Sequence, residues 1–73
     1  MLKVTYCVVE LVGGLIRADL DVVQDGETSK LLVLVSRTED GSYTFEYPGY
    51  ESQATPELRG VVEKAIIKRI EEG

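Results

Sequence analysis

The sequence predicts an α+β domain: a four-stranded antiparallel β-meander followed by one C-terminal helix packed on one face (ββββα), a single unit over residues 1–73. Three observations predict it. Turn signals at Gly13-Gly14, Asp25-Gly26, Asp40-Gly41 and Pro48-Gly49 divide the chain up to its last third. The pieces between them are rich in Val, Ile, Thr and Tyr, which suit a pleated surface. Apolar residues then recur at helical spacing over residues 55–72.

The first strand reads VTYCVVELV, residues 4–12. From Tyr6 to Val12 only Glu10 is polar. A half-buried strand alternates between apolar and polar. This one does not, which raises the question of what its second side meets. With Gly13-Gly14 as a two-residue loop, Leu11 faces Ile16, Val9 faces Ala18, Cys7 faces Leu20 and Thr5 faces Val22 in the second strand, LIRADLDVV (15–23). All of these lie on one side, the core face. On the other side Glu10 meets Arg17, a favourable cross-strand charge pair.

A two-residue Asp25-Gly26 loop leads into KLLVLVSR (30–37). It places Leu31, Val33 and Val35 on the core face and Lys30 opposite Asp21. For the fourth strand, SYTFEY (42–47), a two-residue loop would drop Glu46 into the core. A three-residue loop, Glu39-Asp40-Gly41, with Gly41 left-handed, puts Tyr43, Phe45 and Tyr47 there instead. A coupled slip of the second and third loops would make Leu32 and Leu34 the core set, because a one-residue shift exchanges the two faces.

In TPELRGVVEKAIIKRIEE (55–72), Thr55 suits the cap and Pro56 the first helical position. Glu57 complements the positive end of the helix dipole, and Lys68 and Arg69 the negative end. Leu58, Val61, Val62, Ala65 and Ile66 form one stripe. Gly60 interrupts good helix formers on the side away from it, which signals either a local cost or a close approach.

Eight basic against thirteen acidic residues give a net charge of −5. That opposes binding to a bare phosphate backbone or an anionic membrane, so neither nucleic acid nor membrane is an expected partner. The chain has no histidine, the usual general base and commonest metal ligand. Its one cysteine, Cys7, cannot form a disulfide within the chain. No apolar run reaches membrane-spanning length, and no secretory leader is evident. The expectation is a soluble cytoplasmic protein, not an enzyme, with no catalytic residue, no cofactor and no metal.

Each candidate for chemistry has a plainer reading that fits better. Asp19, Asp21, Asp25 and Glu27 surround a turn, but a calcium loop needs oxygen ligands where Val23 and Leu32 stand; a solvated acidic hairpin is expected. Cys7 has no histidine to activate it, so it reads as packing. Tyr43, Phe45 and Tyr47 alternate like a base-stacking platform, but their flanks are Glu39, Asp40, Glu46 and Glu51, so they read as the floor beneath the helix. YPGYESQATPE (47–57) reads as a connector.

The stretch EDGSYTFEYPG followed by TPE and EKAI loosely resembles the strand, Pro-Gly turn and helix of the HicB-type antitoxins, over roughly half the chain. The resemblance implies a small dimer that binds partner proteins. No functional residue follows from it.

The surplus of apolar residues carries the functional expectation. One helix covers one face, and a chain this short holds a marginal core alone. Val4, Tyr6, Val8, Val12, Leu15, Leu32 and Leu34 fall on the second face, and Ile67 and Ile70 lie beside the helix stripe. These nine are the predicted interface of a homo-oligomeric protein-binding or regulatory module, assembled through the first strand or the second sheet face. Another copy of the chain is the expected partner, with a further protein as a second. The alternative is an acidic inhibitor of a basic partner, such as a nucleic-acid enzyme, presenting Glu10, Asp19, Asp21 and Glu46.

Overall fold

The computed structural model describes residues 1–72. It is the ββββα arrangement the sequence predicts. Strands β1 (Leu2–Val12), β2 (Leu15–Gln24), β3 (Glu27–Arg37) and β4 (Tyr43–Glu46) form one antiparallel sheet in the order β1-β2-β3-β4, and helix α1 spans Pro56–Glu72. A short 3₁₀ turn, Glu51–Gln53, lies in the connector.

The first two hairpins turn through Gly13-Gly14 and Asp25-Gly26, and all four residues have positive φ. Such loops match the twist of the strands they join. The third loop has the three-residue form. Thr38 and Ser42 close it, with the Thr38 N–H donating to the Ser42 carbonyl at 2.8 Å, and Gly41 has a φ of 89°. The resulting pairs, Leu20 with Leu31, Ala18 with Val33, Ile16 with Val35 and Val35 with Phe45, exclude the slipped register.

The core joins Ala18, Leu20 and Val22 of β2 and Leu31, Val33 and Val35 of β3 to Leu58, Val62 and Ile66 of α1, all buried. Both central strands therefore alternate cleanly, with their second-face residues less covered. Helix entry follows local rules. The Leu58 N–H donates to Thr55 Oγ1 at 3.2 Å, and Pro56 occupies the first turn, where no N–H is needed. Gly60 answers to no close approach, since a Cβ there would meet nothing within 4 Å.

One expected register is wrong. Thr5 does not face Val22. A β-bulge lies between Val4 and Tyr6, so that Val4 pairs with Val22 and Tyr6 with Asp21. The extra residue, Thr5, reverses the facing of everything before it. Leu2 and Val4 turn to the core face and pack against the core cluster. Without the bulge, Lys3 and Thr5 would point there instead. Val4, predicted on the second face, is thus corrected to the core face.

Candidate functional site

Two surfaces stand out, and both involve β1. The first is its free edge. A strand at the end of a sheet is paired on one side only, so part of its backbone N–H and C=O groups face outward. In a two-residue hairpin the residues flanking the loop share a hydrogen-bonded pair. By alternation, Leu11, Val9 and Cys7 turn their backbone groups outward.

The side chains here are under-covered on both faces. Leu11 is 73% exposed, Tyr6 51%, Val12 50% and Val8 37%. Leu32 of β3 and the first residue, Met1, are the other large apolar side chains as open. Exposed apolar surface is thus concentrated on the strand that lacks a neighbour.

The C-terminal half of α1 runs beside this edge and leaves two shallow hollows. One, of about 300 Å³, is lined by Cys7, Ala65, Lys68 and Arg69, among others. The next, of about 390 Å³, is lined by Val9, Leu11, Ile16 and Ile70. Arg69 borders both, so they form one groove along β1. Cys7 is half-buried there; burial pushes its thiol pKa up, and the nearby Arg69 charge offsets part of that shift. A raised pKa leaves less of the thiolate form that a nucleophile uses.

The second surface is the sheet face away from the helix. Its rows follow from the strand pairing: Tyr6, Asp21 and Lys30; Val8, Asp19 and Leu32; Glu10, Arg17, Leu34 and Glu46. Lys30 Nζ lies 3.7 Å from Asp21, as the sequence predicts. Arg17 differs from expectation. It stands opposite Glu10, but its Nε lies 3.4 Å from Asp19 of its own strand.

Of the nine predicted interface residues, Tyr6, Val8, Val12 and Leu32 are exposed on this face, and Leu15 and Leu34 are half-buried on it. Ile67 is half-buried on the helix. Ile70 packs against the core beside Val9 and Ile16, so it broadens the buried stripe.

Sequence reasoning missed one cluster at the far end of the helix. Tyr47 is buried, and its hydroxyl donates to Glu63 Oε2 at 2.8 Å. Arg59 Nε donates to the same oxygen at 3.1 Å, and its guanidinium carbon lies over the Tyr47 ring, 5.3 Å from the centroid. Burial, then the bond to Glu63, pushes the Tyr47 pKa far up. The i, i+4 spacing of Arg59 and Glu63 was a legible signal. The tyrosine that joins them was not.

Among the described residues, no group of three or more His, Cys, Asp or Glu side chains is placed to hold a metal ion. No helix among them is long and apolar enough to cross a membrane. The class defined is therefore structural: an α+β domain with one helix-covered and one open sheet face. Compared with known proteins, the chain matches no family model, and no curated protein and no solved structure matches it significantly. The likeness to HicB-type antitoxins accordingly carries nothing further.

Proposed function

We propose that this protein is a non-catalytic, self-associating binding module, assembled by antiparallel pairing of β1 with β1 of a second copy. The observation that carries the reading is the concentration of exposed apolar side chains, Tyr6, Val8, Leu11 and Val12, on a strand whose edge is unpaired. An added strand satisfies the outward backbone groups and covers both faces of β1 at once. A second β1 is chemically suited to the role. It brings its own Cys7, Val9 and Leu11 toward the groove beside α1. The pairing is isologous, so it closes at a dimer and joins two sheets into one of eight strands.

Sedimentation velocity at micromolar concentration tests the reading. The expected result is a dimer, and a monomer for Val8→Lys/Leu11→Lys, which places ammonium groups on both faces of the edge. A monomeric parent protein, or a double variant that still dimerises, overturns it.

A further inference from the structure

We infer that the sheet face away from α1 is a docking surface for a cationic amphipathic helix of a partner protein. Edge pairing of β1 leaves this face open, and the inference does not depend on that pairing. Its centre is electrically closed. Arg17 lies 3.4 Å from Asp19 and Lys30 lies 3.7 Å from Asp21. The two remaining carboxylates, Glu10 and Glu46, have no cation within 4 Å among the described residues. They stand in one row at opposite edges of the sheet, Glu10 on β1 and Glu46 on β4, with Arg17 and Leu34 between. Three strand spacings separate them, roughly 14 Å. A helix with its side chains is about 10–12 Å across.

The apolar groups stand on either side of the Arg17–Asp19 pair of β2, with Val8 on β1 and Leu32 and Leu34 on β3. Val8 and Leu32 are each 37% exposed, and Leu34 is half-buried next to Leu32 on the same strand. A helix laid along the strands would cover the mutually neutralised Arg17–Asp19 pair and set apolar side chains on Val8 to one side and on Leu32 and Leu34 to the other. Lysine or arginine side chains on its flanks would reach Glu10 on one side and Glu46 on the other. An anionic helix would meet two uncompensated carboxylates, and a purely apolar one would bury them without partners. The same cover converts a two-layer domain into three layers, with a helix on each face of the sheet.

The test uses a short Leu/Lys peptide of helical period, a peptide of the same composition with that period scrambled, and a Leu/Glu counterpart. Fluorescence anisotropy reads binding, and circular dichroism reads helix gained on mixing. The expected result is binding of the Leu/Lys helix alone, with helix gain. Glu10→Gln/Glu46→Gln weakens it about tenfold, as loss of two charge contacts does, and Leu32→Ser weakens it comparably. Equal binding of the scrambled peptide, no binding at all, or full affinity in both variants overturns the inference. Sedimentation of Leu32→Ser and of Glu46→Gln alone keeps this result separate from β1 pairing, since Leu32 lies on β3 and Glu46 on β4.

Discussion

Strand β4, at one edge of the sheet, runs for four residues, Tyr43–Glu46, and Pro48 follows it; β1, at the other edge, runs for eleven, Leu2–Val12, without a proline. The segment after β4 is fastened down. Tyr47 is buried beneath Arg59 and bonded to Glu63, and the chain then turns through Gly49 into the connector. β1 has only its bulge to interrupt the edge, and the residues beyond it, Tyr6 to Val12, pair without a further register shift and are apolar but for Glu10. Short edges, prolines and bulges are how sheets avoid pairing with strangers. One edge has the first two. The other has a single bulge at its far end, and the difference leaves β1 the less protected edge of the sheet.

The largest expected effect breaks the closed edge. Tyr47→Ala removes a buried aromatic ring between β4 and α1 and leaves Arg59 and Glu63 without their shared partner. Truncation of a buried aromatic costs about 3–5 kcal/mol, read as a fall in the urea midpoint. A change below about 1 kcal/mol would show that β4 is held by its strand pairing alone. Tyr47→Phe separates ring from hydroxyl, with an expected loss of about 1–2 kcal/mol. The hydroxyl also carries a pH dependence. The folded pKa is raised, so its contribution is complete below the ordinary tyrosine value of about 10 and is lost as pH rises through the folded value. Alkaline unfolding should shift accordingly in Tyr47→Phe.

The open edge is sharpened by deleting Thr5. Val4 and Tyr6 already pair with adjacent residues of β2, Val22 and Asp21. Removing Thr5 therefore joins two stretches already in phase, and the ladder needs no shift. The variant is expected to fold with unchanged circular dichroism. Its edge is longer and straighter, and its self-association about tenfold tighter by sedimentation equilibrium. Unchanged association would show that pairing, where it occurs, uses only Tyr6 to Val12.

The bulge also shows where the sequence was and was not readable. Four strands, three loops and the helix follow from glycine signals and from the alternation of Leu31, Val33 and Val35. The facing of β2 follows too, because turning it over would bury Asp19 and Asp21; that of β3 stays open to the coupled slip, which only the observed pairing of Leu20 with Leu31 and Ala18 with Val33 excludes. At β1 the signal was present but contradictory. Leu2 and Val4 are apolar at even positions, whereas Cys7, Val9 and Leu11 are apolar at odd ones. An extra residue between them reconciles the two sets, but Tyr6, Val8 and Val12 are apolar at even positions too, and that continuity conceals it. The Tyr47–Glu63 bond was out of reach for another reason. It depends on how the helix crosses the sheet, and no local pattern encodes that crossing.

Helix α1 offers a smaller test. Gly60 is exposed, and a Cβ there meets open space. Gly60→Ala should stabilise the fold by about 0.5–1 kcal/mol through helix propensity and a less disordered unfolded chain. It lies away from both proposed surfaces, so dimerisation and peptide binding should not change. A loss of either, with stability gained, would place a partner at the start of the helix.

The smallest effect belongs to the third loop, which sets up β4. Asp40 accepts from the Thr38 hydroxyl and from the Ser42 N–H, the latter at 3.0 Å. These bonds, the Thr38 one first, hold its carboxyl below the usual range. The folded value is depressed, so the contribution is present above the ordinary carboxylate pKa and is lost as pH falls through the folded value. Thr38→Val removes the leading cause. It should bring the Asp40 titration, followed by NMR, back toward an unperturbed aspartate. A titration unmoved by that change would show that the Ser42 N–H alone holds the carboxylate, leaving the Thr38 hydroxyl to serve only the Ser42 backbone, where it donates at 3.2 Å and accepts at 3.1 Å.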